Sequence, residues 1–178
     1  MPRIPPLQPD DEPPELRAVF DQLRATRGRV PTMYRTLAHQ PEILAAHRAY
    51  FHAALDAGTL SRAFKEKIAF KVALDCGSVY SSASHRRYAL RHGASESELE
   101  AIGHSDYGGL DGREQAALRF ADEVIAGRSV TDSTFQSLAG QFSTSEIVEL
   151  SALVGIMQLA STLGAIFDLE ADADEETN

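Results

Sequence analysis

The sequence predicts an all-α fold of about eight or nine helices. Two observations carry this reading. Apolar residues recur at helical spacing in one segment after another, with almost no period-two stretch of the kind that marks a strand. Serine, aspartate or proline opens these segments and glycine closes them, which is how helices are punctuated. A third observation bounds the size: 178 residues, 43% hydrophobic and 24% charged, make one globular domain with a core of its own.

The elements follow in order. Residues 1–12 are Pro-rich and extended. Leu16, Val19, Phe20 and Leu23 stand at i, i+3, i+4, i+7, and Gly28 ends that helix. Pro31 opens a short helix around Tyr34 and Leu37. Pro41 opens another, with Ile43, Leu44, His47, Tyr50, Phe51 and Leu55 facing inward, ending at Gly58. Ser61 caps a helix that runs to Cys76, and Gly77 breaks it. The next helix runs from Val79 to His92 and stops at Gly93. Ser95 with Glu98 forms a capping box, in which each side chain takes the other's free backbone N–H; Asp111 with Glu114 and Ser143 with Glu146 repeat the pattern. Residues 103–112 form a loop between two helix groups. The domain is expected to span 13–169, with an acidic, disordered tail over 170–178.

Composition excludes several function classes. One cysteine forms no internal disulfide and no multi-cysteine zinc site, and favours a reducing, cytoplasmic compartment. The net charge of −9 argues against nucleic acid as a partner. Five of the acids (Glu170, Asp172, Asp174, Glu175, Glu176) sit in the tail, so the body is only mildly acidic. No apolar signal-peptide core follows Met1. Residues 150–167 carry no charge, but they contain Ser151, Gln158, Ser161 and Thr162 and lack flanking Lys or Arg anchors. We read this segment as a central or interface helix, not a membrane span. The six histidines show no i, i+4 metal pairing, and nucleotide and nucleophile-elbow motifs are missing, so neither metal nor cofactor is expected.

The informative segment is 65–93. Glu66 shares a helix face with Ala69, Phe70 and Ala73, where a carboxylate is costly unless paired. Ser78, Ser81 and His85 stand at i, i+3, i+7 and share a face of the next helix. Ser78 is a natural N-cap, and Ser81 lies in the first turn, where free N–H groups favour negative charge. The short break at Gly77 folds the two helices into an antiparallel hairpin. Glu66 is then expected within hydrogen-bond reach of His85, a proton-transfer pair.

Glu66, then twelve residues on Ser78 and Ser81, then His85, Ala89 and Gly93, resembles the core signature of the carboxymuconolactone decarboxylase and alkylhydroperoxidase D (AhpD-like) superfamily. That signature has a Glu, a C-x-x-C, a His and then small residues. Arg29-Val30-Pro31 and Ala38-His39-Gln40-Pro41-Glu42 resemble its lead-in, and Phe142-Ser143 with Leu153-Val154-Gly155 its last helix, so the resemblance covers about 13–169. It implies an AhpD-like helical fold with a central hairpin, Glu66, His85, Ser78 and Ser81 as catalytic positions, Tyr80 as a substrate-binding position, and a homo-oligomer (trimer, hexamer or dimer).

Serine replaces both cysteines of the redox pair. A serine hydroxyl cannot be oxidised and resolved through a disulfide, so thiol-peroxidase turnover is not available at those positions. Cys76 is the only thiol and has no resolving partner in the chain. Three readings stay open. One is acid–base, decarboxylase-like chemistry on a small carboxylated compound. Another is an alkylhydroperoxidase-like oxidoreductase, and the third a non-catalytic binding or scaffold protein. The serines themselves read as caps, as substrate-holding hydroxyls, or as engineered replacements of cysteine.

Overall fold

Hydroxyl side chains and prolines decide where the helices of this chain begin. The computed structural model describes residues 1–8, 11–127 and 129–172. Among these residues it is all-helical. After a short 3-10 turn at Pro14–Leu16 come α1 (Arg17–Arg27), α2 (Thr32–Leu37) and α3 (Pro41–Phe51), which widens into a π turn at His52–Asp56. Then follow α4 (Arg62–Asp75), α5 (Val79–Arg91), α6 (Glu96–Gly103), α7 (Gly112–Gly127), α8 (Asp132–Ala139) and α9 (Thr144–Phe167). Ser61, Ser78, Ser95, Thr131 and Ser143 each accept a backbone N–H from the first turn of the helix they cap. Ser95–Glu98 and Ser143–Glu146 are full capping boxes.

The third expected box is only half made. Asp111 accepts the Glu114 N–H at 2.8 Å, but the Glu114 carboxylate binds Lys67 instead of returning to the cap. A buried ammonium is a stronger attractor than one backbone N–H.

α4 is the axis of the fold. Nine consecutive residues, Lys65 to Ala73, are buried on every side of it. α5 and α9 pack along it, and α6 and α7 close the remaining faces. Three lysines therefore lie inside, each with an acid from the covering elements. Lys65 pairs with Glu149 of α9, Lys67 with Glu98 of α6 and Glu114 of α7, and Lys71 with Asp75 and with Asp122 of α7. The apolar cluster around Ile68, Val72, Leu118, Leu150 and Leu153 surrounds this axis. A second cluster, of Phe20, Leu23, Met33, Tyr34, Leu44 and Tyr80, joins α1, α2 and α3 to α5.

Ile43 and Tyr50 are exposed, against expectation. At about 100° per residue they lie roughly 100° from the line of Leu44, Phe51 and Leu55, and so off the core-facing side of α3. α9 is long and apolar enough to cross a membrane by length and composition alone. Its inner face, including Leu150, Leu153, Val154 and Met157, is spent on the core, while Val148, Leu159 and Ile166 face out.

The two chain ends are pinned beside each other. The Arg3 N–H bonds the Phe167 carbonyl at 2.8 Å, and the Leu7 N–H bonds the Arg35 carbonyl at 3.2 Å. The acidic segment was expected to be free from residue 170. Asp172 instead accepts hydrogen bonds from the Thr32 N–H at 3.2 Å and the Tyr80 hydroxyl at 3.1 Å, with Arg29 3.5 Å away. Residues 173–178 lie outside the described residues.

Candidate active site

The site grows from the α4–α5 hairpin. Gly77 makes the turn with φ +67°, a left-handed conformation that favours glycine. Ser78 then caps α5, and one and two turns on, Ser81 and His85 face α4. Opposite them lies Glu66, with no exposed surface. Its Oε2 is 2.6 Å from His85 Nδ1, so the pair meets directly, without an intervening water. Its Oε1 accepts the Arg62 Nε–H at 2.6 Å, one turn back on α4. Arg62 also binds Asp56 of the π turn, which in turn has His52 at 3.1 Å and Arg27 at 3.8 Å.

This is a hydrogen-bonded chain, Asp56–Arg62–Glu66–His85. Burial alone would push the Glu66 carboxyl up; the adjoining His85 and Arg62 outweigh it and hold Glu66 below the ordinary glutamate range. Because Nδ1 faces the carboxylate, Nε2 is the ring nitrogen that Glu66 does not engage.

That cavity, about 60 Å³, is lined by His85 and Ser81, by Ser84 and Tyr88 of α5, by Met33, Tyr34, His47, Phe51 and Leu55, and by Arg27, Arg29 and Arg62. It lies where the two apolar clusters meet. Its size limits a ligand to a small molecule. Three guanidinium groups line this space, Arg29 beside Asp172, Arg27 beside Asp56 and Arg62 beside Asp56 and Glu66, and a guanidinium's five N–H donors suit an anion.

The sequence candidates separate here. His85, Ser81 and Tyr80 line the cavity. Ser78 does not: its Oγ accepts the Ser81 N–H at 3.2 Å and faces Gly164 of α9. Ser78 caps α5: its position before the first turn turns its hydroxyl back to the helix end and off the cavity wall. Glu66 does not reach the cavity either; it stands behind His85. The Tyr80 hydroxyl donates to Asp172 and accepts the Met33 N–H, and burial pushes its pKa up. Cys76 lies outside the cavity wall, and burial followed by Asp75 pushes its thiol up, away from a reactive thiolate.

Sequence reasoning missed Arg62, Arg27, Arg29 and His47. Only Arg62 left a signal, its i, i+4 spacing to Glu66. Among the described residues no cluster of three His, Cys, Asp or Glu stands close enough to hold a metal.

The site also sets an acid limit. A carboxylate lowered in the folded state contributes stability that is whole above its unfolded value, about 4.3, and is lost as pH falls below it. Glu66 is such a group, and Glu98 is another, drawn down to about 2 by Lys67 and the Ser95 N–H. His47, lowered by burial, adds a loss that begins as pH falls through about 6.5, since only the unfolded chain readily protonates it. Urea unfolding across pH 3–8 should show a shallow decline first and a steep one below about 4.3. Greater stability at pH 4 than at pH 7 would contradict these assignments.

The carboxymuconolactone decarboxylase family model matches residues 41–123, the stretch that holds the hairpin and the cavity's α3 wall. No curated protein matches. Solved structures of the same fold do. An uncharacterized peroxidase-related protein from Silicibacter sp. TM1040 is 19% identical, with TM-score 0.86, over 96% of this chain and 91% of that one. A peroxidase-related protein with an alkylhydroperoxidase AhpD core, from Ralstonia eutropha JMP134, is 20% identical, with TM-score 0.85, over 96% and 92%. The debrominase Bmp8, in complex with 2,3,4-tribromopyrrole, is 22% identical, with TM-score 0.83, over 96% and 92%. Identities this low establish the fold and not the chemistry.

Proposed function

We propose, from the premise that the chain belongs to the carboxymuconolactone decarboxylase and alkylhydroperoxidase D-like superfamily, that it performs acid–base chemistry, decarboxylase-like, on a small carboxylated compound. The observation that carries this reading is the 2.6 Å contact between buried Glu66 and His85, with His85 in the wall of an arginine-lined cavity. His85 Nε2 exchanges the proton with the substrate. Glu66 is a positioning residue: it fixes the ring's tautomer and offsets the charge when the imidazole is protonated. Arg27, Arg29 and Arg62 hold the substrate carboxylate, and the Ser81 hydroxyl orients it or a water.

The oxidoreductase reading has less support. It needs a thiol pair, and the one thiol, Cys76, is off the cavity with a raised pKa. Small aromatic and lactone carboxylates should be screened for CO₂ release or solvent-deuterium uptake. Turnover lost in His85→Gln but kept in Cys76→Ala is the expected result. Hydroperoxide reduction with a dithiol donor, lost in Cys76→Ala, would return the oxidoreductase reading to the front.

The chain is further proposed to act in the cytoplasm as a homo-oligomer, a trimer, hexamer or dimer, with neither nucleic acid nor membrane as partner. Exposed Val148, Leu159 and Ile166 of α9, with Ile43 and Tyr50 of α3, supply apolar surface for contact between copies. Light scattering at micromolar concentration should give a mass above 19.4 kDa; a monomer would refute the assembly.

A further inference from the structure

His47 has a polar capacity that the protein itself leaves unused. It lies on α3, is 7% exposed and lines the same cavity as His85. Neither of its ring nitrogens has a hydrogen-bond partner. A neutral imidazole carries one N–H donor and one bare acceptor nitrogen. Buried groups of this kind are satisfied in nearly all proteins, so an orphan pair has a reason. The ring is held by its carbon framework. Tyr34 meets it edge-on, with centroids 5.8 Å apart and planes at 76°, and Phe51 stacks on it at 5.8 Å and 20°. Phe51 then leads to His85, 6.2 Å further on. These contacts fix where the imidazole sits and satisfy neither nitrogen.

Burial lowers the pKa of His47, so the ring is uncharged near neutral pH and offers no cation to a carboxylate. Arg27, Arg29 and Arg62 already supply that charge in the cavity wall. The cavity therefore has two kinds of recognition, a cationic one and an uncharged donor–acceptor one, joined by aromatic surface. We infer that His47 is a specificity-determining residue that reads a hydroxyl on a small ring whose carboxylate is held by the arginines. This rests on the anionic-substrate reading above. A hydroxyl suits because it both donates and accepts, and so matches either ring nitrogen in either tautomer. A ring carrying hydrogen at that position leaves the imidazole orphaned, and sites built to bond a substrate hydroxyl discriminate strongly against analogues lacking it.

Calorimetric titration of the full chain with 4-hydroxybenzoate and with benzoate tests this. The native protein should bind the hydroxylated probe about tenfold tighter or more. His47→Phe, which keeps the aromatic stack and removes both nitrogens, should bring the two affinities together. His47→Leu gives the same comparison if the larger ring misfolds, and His47→Gln, which restores a donor and an acceptor, should recover part of the preference. Equal binding of both probes by the native protein, or a preference that survives His47→Phe or His47→Leu, overturns the role of His47 while leaving the anionic cavity standing. Binding of neither probe overturns the anionic reading and this inference with it.

Discussion

Replacing Glu149 by alanine is expected to cost about 3–5 kcal/mol of folding free energy, the range for breaking a buried ion pair from one side. The Glu149 carboxylate does three jobs. It pairs with Lys65, whose side chain is 1% exposed, and it accepts the Thr59 N–H at 2.8 Å and the Leu60 N–H at 3.2 Å. Those two N–H groups lie in the turn that leads into α4. Gly58, at φ +98°, passes so close to this carboxylate that a Cβ there would strike it. Among the described residues, removing Glu149 leaves the Lys65 charge with only the Ala57 carbonyl for company, and it frees the turn. For a chain of this length the melting temperature should fall by roughly 10 °C. Lys65→Met with Glu149→Leu should recover much of the loss, because the desolvated charges then vanish together. A fall of under 1 kcal/mol in the single variant would show that Lys65 reaches water by another route.

The second large effect is on activity. Glu66→Gln should lower turnover by about 10²–10⁴-fold, the usual worth of a positioned proton-transfer group. The fold should persist. Glutamine has the same shape, its oxygen can still accept from Arg62 or His85, and Arg62 keeps Asp56 as a partner. What is lost is the negative charge that offsets a protonated His85. A purely structural role for Glu66 would lower the amount of folded protein and leave the rate per folded molecule where it was, and that result would remove Glu66 from the mechanism.

Much of the fold and half of the site were legible because they rest on local rules. Ser61, Ser78, Ser95 and Ser143 start their helices through bonds to residues three positions on, and spacing alone reveals that. Glu66, Ser81 and His85 face one another because two regular helices and one short turn leave them little choice. The rest depended on partners far away in sequence. Lys65, Lys67 and Lys71 look like a solvated charged run, yet they lie inside because acids from α6, α7 and α9 meet them there. Lys67, for example, finds Glu98 31 positions on. Asp172 reaches Thr32 across 140 positions and turns the start of an acidic tail into part of the cavity wall. Arg27, Arg29 and His47 become cavity residues only once α1, α2 and α3 pack over the hairpin. The amino-acid sequence by itself determined the helices, their caps and the Glu66–His85 contact, since each depends on contacts within about one helical turn or across one tight hairpin. Which charges are buried, and what the cavity presents to a ligand, were decided by the tertiary structure, because desolvation and electrostatic pairing depend on whatever packing brings near and carry no periodic trace along the chain.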